Sequence, residues 1–176
     1  MKMIKIVDNF FKEKDLKDVQ DFTLNNAYYT PCYFHNTTER SAKTHYGNRW
    51  FFPKKSKMLE LFKSQAEKKF KLKIKKINST SGIDQRNLNH FKPHTDQPLG
   101  KANLLVMISG PTAVTNGTVF YHGNLNKCEL DIHVGFRENR AIMFPSTWIH
   151  SQHKSELSNL KRYTSTLFIE DYVLII

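Results

Sequence analysis

Over residues 15–25, Leu16, Val19 and Phe22 recur at helical spacing, which predicts an amphipathic helix. A second helix is predicted after Ser56, a good N-cap, with Met58, Leu59, Phe62, Ala66 and Phe70 as its buried stripe. The period then changes to two. Phe70, Leu72 and Ile74 alternate with Lys71, Lys73 and Lys75, as in a strand with one face in water. A short strand of Ile4, Lys5, Ile6 and Val7 opens the chain. Residues 28–52 show no clear period and read as a long loop that covers a site.

Beyond residue 76 the pattern is of short strands: 87–96, 102–109, 118–122, 130–134, 141–144, 148–153 and 163–169. Breakers separate them, at Gly100, Gly110-Pro111, Asn116-Gly117, Gly123-Asn124, Gly135 and Pro145. Many short strands with regular turns predict a sandwich or barrel, with the helices of the front part packed against it. The expected organisation is one mainly β domain over 1–176, helical over about 1–70 and a β core over about 70–176. No repeat, low-complexity tract or dividing linker is visible.

Composition narrows the picture. A chain of 176 residues with 39% apolar and 12% aromatic residues can bury a core, so a folded domain is expected. No apolar run approaches the roughly 20 residues of a membrane span. The opening apolar stretch is too short for a signal peptide, and the expected compartment is the cytoplasm. Cys32 and Cys128 read as two free thiols without zinc-ligand spacing. The formal charge is +11, and over 53–76 ten lysines face two glutamates, Glu60 and Glu67. Such a run can attract a polyanion, but it reads first as a solvated helix face and a solvated strand face.

Four segments carry candidate chemistry. In Phe91-Lys92-Pro93-His94-Thr95-Asp96, residues two apart on a strand share a face, so His94 and Asp96 can reach one metal ion. With a second, distant histidine they make the two-histidine, one-carboxylate set of non-haem Fe(II) sites. That histidine is sought in Phe144-Pro145-Ser146-Thr147-Trp148-Ile149-His150. His153 competes with His150. Being three apart on a strand, they face opposite sides, and His150 is preferred because it sits where an apolar run begins. In Lys161-Arg162-Tyr163-Thr164, Arg162 and Thr164 share a face. A buried guanidinium needs an anion, and a ligand carboxylate fits its planar fork, with a hydroxyl alongside. The fourth segment, Asn116-Gly117-Thr118-Val119-Phe120-Tyr121, reads as a tight turn into a strand and, taken alone, as structural.

These segments stand in a recognisable order. His94-Thr95-Asp96, the apolar run Leu104-Leu105-Val106-Met107-Ile108, then Gly117-Thr118-Val119-Phe120-Tyr121, Asn139-Arg140-Ala141-Ile142-Met143-Phe144-Pro145-Ser146, His150 and Arg162 together resemble the prolyl-hydroxylase-like branch of the 2-oxoglutarate/Fe(II) oxygenases. The opening Ile6-Val7-Asp8-Asn9-Phe10-Phe11 is similar to the start of these proteins. The step from His150 to Arg162 is slightly longer than usual, and the usual Gly before the basic residue is missing. His153 and Lys161 therefore stay open as alternatives.

The resemblance implies a double-stranded β-helix (jelly-roll, cupin-like) core. It implies Fe(II) held by His94, Asp96 and His150, and 2-oxoglutarate as co-substrate with O2, its far carboxylate bound by Arg162 and Thr164. The implied reaction is hydroxylation of a peptidyl residue, amino acid or small metabolite with release of succinate and CO2. Two other readings stand beside it. One is an AlkB-type oxygenase acting on nucleic acid, which the lysines of 54–76 favour. The other is a cupin-like metal-binding module without catalysis.

Overall fold

The computed structural model describes residues 4–35, 43–87, 92–153 and 160–175; the side chains of 33–35 and 43–46 are outside the description. In chain order the elements are β1 (Lys5–Val7), α1 (Glu13–Asp21) running into a π turn (Phe22–Asn26), β2 (Thr30–His35), β3 (Lys43–Phe51), α2 (Lys57–Phe70), β4 (Leu72–Ile77), β5 (Gly82–Asn87), a 3-10 turn (Gln97–Leu99), β6 (Ala102–Ser109), β7 (Gly117–Asn124), β8 (Lys127–Gly135), β9 (Ala141–Pro145), β10 (Ile149–Gln152) and β11 (Lys161–Leu174).

Local chemistry explains the helices. Ser56 Oγ accepts the Leu59 N–H at 3.1 Å, which caps α2. Phe62, Ala66 and Phe70 bury its inner face, and Lys71 ends it in a left-handed conformation (φ 52). Glu67 then accepts the Ile74 N–H at 2.9 Å and ties the helix to the strand that follows. In α1, Val19 is buried, with Leu16 and Phe22 packed against the same core.

Two sheets face each other. The larger runs β1-β9-β6-β11-β5-β3-β2, with β4 also paired to β11; the smaller is β10-β7-β8. Alternation divides the core cleanly. From β6, Leu104, Val106 and Ile108 point to the helices, while Leu105 and Met107 point between the sheets. Met143 of β9 and Leu167 and Ile169 of β11 join the helix side; Ile142 and Phe144 join the inter-sheet side with Phe120, Val134 and Phe136. Fully burying an aromatic such as Phe62 or Phe120 contributes about 1.5–3 kcal/mol, so both layers matter.

The start of the chain is locked onto β9. Asn139, held at φ 64, accepts the Phe11 N–H (2.7 Å) and donates to the Phe11 carbonyl (3.0 Å). Arg140 grips Asp8 with Nε to Oδ1 at 2.7 Å and Nη2 to Oδ2 at 3.0 Å. The Asn139-Arg140 pair and the opening segment are thus two halves of one structural contact.

Two expectations need correcting, and one strand was not expected. Residues 28–52 are not one long loop: β2 and β3 pair as antiparallel strands, with 36–42 outside the described residues. The run 82–87 is a strand, β5, which hydrophobic periodicity did not reveal. The run 87–96 is not a continuous strand as described: β5 ends at Asn87, 88–91 lie outside the described residues, and His94 makes an isolated bridge to His150. Asp96 turns into the 3-10 segment that carries Pro98. The front part of the chain also contributes strands β1, β2 and β3 to the larger sheet, alongside its helices.

Candidate metal and anion site

His94 and His150 are bound to each other through their backbones. The His94 N–H donates to His150 O (3.0 Å) and the His150 N–H to His94 O (2.9 Å). This bridge sets the rings side by side, with centroids 4.4 Å apart. The Asp96 N–H donates to Ser146 O at 2.9 Å, so the turn after β9 positions the carboxylate as well. His94, Asp96 and His150 each offer one donor atom, and these atoms lie within 4.8 Å of one another. His94 and Asp96 reach a common point through a bridge and a turn rather than through neighbouring positions on one strand.

The hydrogen bonds fix which atoms face inward. His94 Nδ1 lies 3.0 Å from Lys92 O, and His150 Nδ1 lies 3.0 Å from Trp148 O. A carbonyl only accepts, so each Nδ1 carries a proton and each ring turns its Nε2 inward. His94 Nε2 stands 3.7 Å from Asp96 Oδ1, and His150 Nε2 stands 3.2 Å from Asp96 Oδ2. Two imidazole Nε2 atoms and a carboxylate that converge on one point form a donor set that fits a divalent metal. Burial, followed by the neighbouring His150, pushes His94 down to about 4, which keeps the ring neutral at ordinary pH. Burial pushes the Asp96 carboxyl up, but His150, His94 and the Asn103 amide (2.7 Å) outweigh it and hold it below its usual value. Phe144 packs edge-on against His150, with ring centroids 4.8 Å apart, and shields it from water.

His153 lies elsewhere. Its Nδ1 donates to Thr115 O at 2.9 Å, and its ring packs on His133 at 4.9 Å. The structure brings His150, and not His153, to His94 and Asp96.

The same cavity, about 130 Å³, is bordered by the histidine cluster and by Arg162, Thr164 and Thr118. That space suits a small organic acid better than one water. Arg162 is buried while Lys161 is exposed, as alternation requires. Arg162 Nη1 donates to Gly117 O (2.6 Å) and Asn116 Oδ1 (3.3 Å). Its Nε and the Thr118 hydroxyl are buried without a hydrogen-bond partner among the described residues. Burial, and after it the charge of Arg86, pulls Arg162 down to about 9. A guanidinium in this state favours an incoming anion. Thr164 is buried two positions on and lines the same cavity.

Sequence reasoning passed over several polar residues that line or support this cavity. Arg49 Nε and Nη2 grip Asp84 at 2.8 and 3.0 Å, and Thr166 Oγ1 donates to Asp84 Oδ2 at 3.2 Å. Arg86 stands nearby on β5. The Asn116-Gly117 turn, read as structural, holds the Arg162 fork. A cluster of charged residues within strand-length runs was the available signal.

No protein-family model matches the chain, and no curated sequence matches it. Solved structures share its fold. An oxidoreductase of the 2OG-Fe(II) oxygenase family from Burkholderia pseudomallei matches at TM-score 0.63 and 11% identity, over 96% of this chain and 84% of that one. A prolyl hydroxylase from Trichoplax adhaerens, in complex with a peptide fragment of hypoxia inducible factor, matches at TM-score 0.62 and 15% identity, over 96% and 83%. HygX from Streptomyces hygroscopicus, with nickel and 2-oxoglutarate bound, matches at 0.64 and 9%, over 95% and 82%. The chain therefore has the double-stranded β-helix fold that these structures share.

Proposed function

We propose that the protein is an Fe(II)- and 2-oxoglutarate-dependent oxygenase that hydroxylates a peptidyl residue, amino acid or small metabolite. The observation that carries this reading is one cavity holding both a convergent His94–Asp96–His150 donor set and, apart from it, a buried guanidinium with an unused donor. His94, Asp96 and His150 hold the metal. Iron with 2-oxoglutarate and O2 supplies C–H oxidation, with release of succinate and CO2.

The chain's own contribution is binding, orientation and exclusion of water. The carbonyls of Lys92 and Trp148 fix the histidine tautomers, and Asn103 orients the Asp96 carboxylate. Arg162 binds the distal carboxylate of 2-oxoglutarate, for which its buried Nε is the free donor, with Thr164 beside it. Gly117 O and Asn116 hold the far side of the fork so that it cannot swing away.

The test is succinate release from 2-oxoglutarate with Fe(II), across a panel of peptides, amino acids, small metabolites and oligonucleotides. Release stimulated by one class, and lost in Asp96→Ala, is expected. Absence of 2-oxoglutarate turnover across the whole panel would count against an oxygenase.

A further inference from the structure

Arg162 has a neighbour of like charge. Arg86 on β5 is its direct cross-strand partner. Residues opposite each other in an antiparallel pair project to the same face, and both arginines line the cavity. The sheet is cleared for Arg86. Gly47 on β3 sits at φ +148, and a Cβ there would lie 2.9 Å from Arg86 Cγ.

The charges on this face are unequal among the described residues. Arg49, Arg86 and Arg162 line the cavity with two carboxylates, Asp84 and Asp96, of which Asp96 belongs to the proposed metal site. Asp84 is shared: Arg49 grips both oxygens, at 2.8 and 3.0 Å, and Arg86 Nη2 pairs with Oδ1 at 3.5 Å. The Arg86 charge bears on Arg162, its cross-strand neighbour in the cavity. Like charges opposed on a sheet repel, and burial strengthens the repulsion. A ligand carboxylate entering between them would reverse its sign.

We propose that Arg86 and Arg162 form a two-guanidinium clamp on the distal carboxylate of the co-substrate, and that Arg86 thereby helps select a dicarboxylate over a monocarboxylate 2-oxo acid. The proposal rests on the 2-oxoglutarate reading above. It adds a residue from a different strand to the one recognised in sequence.

Calorimetric titration of the Ni(II)-loaded protein tests it without turnover. The probes are 2-oxoglutarate and 2-oxobutyrate, which share the 2-oxo acid head and differ in the distal carboxylate. Wild type is expected to prefer 2-oxoglutarate by about 100-fold or more. Arg86→Gln should weaken 2-oxoglutarate by about tenfold and leave 2-oxobutyrate unchanged. Arg86→Lys should fall between, because charge survives without the fork. Thermal melts of each variant establish that it is folded, and Arg86→Lys carries the test if Arg86→Gln is not.

Unchanged 2-oxoglutarate affinity in both Arg86 variants, with a loss in Arg162→Gln, would overturn the clamp and leave the co-substrate reading standing. Equal losses for both probes would also overturn it, since Arg86 would then act on the shared head or through the fold. Failure of wild type to prefer 2-oxoglutarate would overturn the co-substrate reading itself, and the clamp with it.

Discussion

At the scale of single residues, each side chain of the proposed metal site offers one donor that its neighbours do not replace. His94→Ala, Asp96→Ala and His150→Ala are each expected to lower bound iron by tenfold or more, on the order of 1.4 kcal/mol or above. His153→Ala should retain it, because its Nδ1 is committed to Thr115 O and its ring to His133. Iron content by metal analysis decides the matter; loss confined to His153→Ala would mean the distal ligand is misassigned. Arg162 makes a different prediction. Its removal should raise the 2-oxoglutarate requirement by about 100-fold while iron binding persists, since it contacts no metal donor. Arg162→Lys should recover part of the loss, and Lys161→Ala should change nothing.

The elements tell which of these residues could be read from the chain. That His94, Asp96, His150 and Arg162 lie around one cavity was legible, because their spacing and order carry chemistry. Strands β3 and β5 were not, for a physical reason. Ile83 faces the core while Asp84 faces the cavity, and Trp50 packs on Phe22 while Arg49 turns to Asp84. A strand that lines a charged cavity alternates apolar with charged, buried residues, and resembles a polar loop. The buried Arg49–Asp84 pair should be costly to break: Asp84→Asn removes the carboxylate that Arg49 grips, at about 3–5 kcal/mol in denaturant unfolding.

The pH dependence of this pair has a definite sign. Burial pushes the Asp84 carboxyl up, but Arg49 and then Arg86 outweigh it and hold it below its usual value. Its folded value is therefore the lower one, so the stabilisation is full above about pH 4 and is lost as the pH falls through the depressed value. Wild type should lose stability more steeply than Asp84→Asn in that acid range. Parallel unfolding curves across it would contradict the assignment.

Helix α2 and strand β4 carry most of the lysine run, and the structure accounts for part of it. Lys73 pairs with Glu67, and Lys76 pairs with Glu170. Lys57, Lys68, Lys69, Lys71 and Lys75 are exposed, while Leu72 and Ile74 are buried. A solvated face of this kind should bind oligonucleotides at low salt and release them near physiological ionic strength. Tight, sequence- or lesion-dependent binding in fluorescence anisotropy at about 0.15 M salt would favour a nucleic-acid substrate instead.

On the scale of the whole molecule, two sheets hold the candidate metal site and the buried arginine in one cavity, and the helices cover the outer face of the larger sheet. No helix among the described residues is long and apolar enough to cross a membrane. The fold class was legible in the succession of short apolar runs and turns. The pairing was less so, because the bridge between His94 and His150 joins segments more than fifty residues apart and depends on backbone bonds rather than periodicity.

The central claim is that iron and 2-oxoglutarate meet in this cavity, and the visible absorbance of the anaerobic Fe(II) protein during 2-oxoglutarate titration tests it most directly. The account predicts a saturable metal-to-ligand band in wild type, absent in Asp96→Ala and shifted to much higher 2-oxoglutarate in Arg162→Ala. An iron-loaded wild-type protein that develops no band at any 2-oxoglutarate concentration would contradict it.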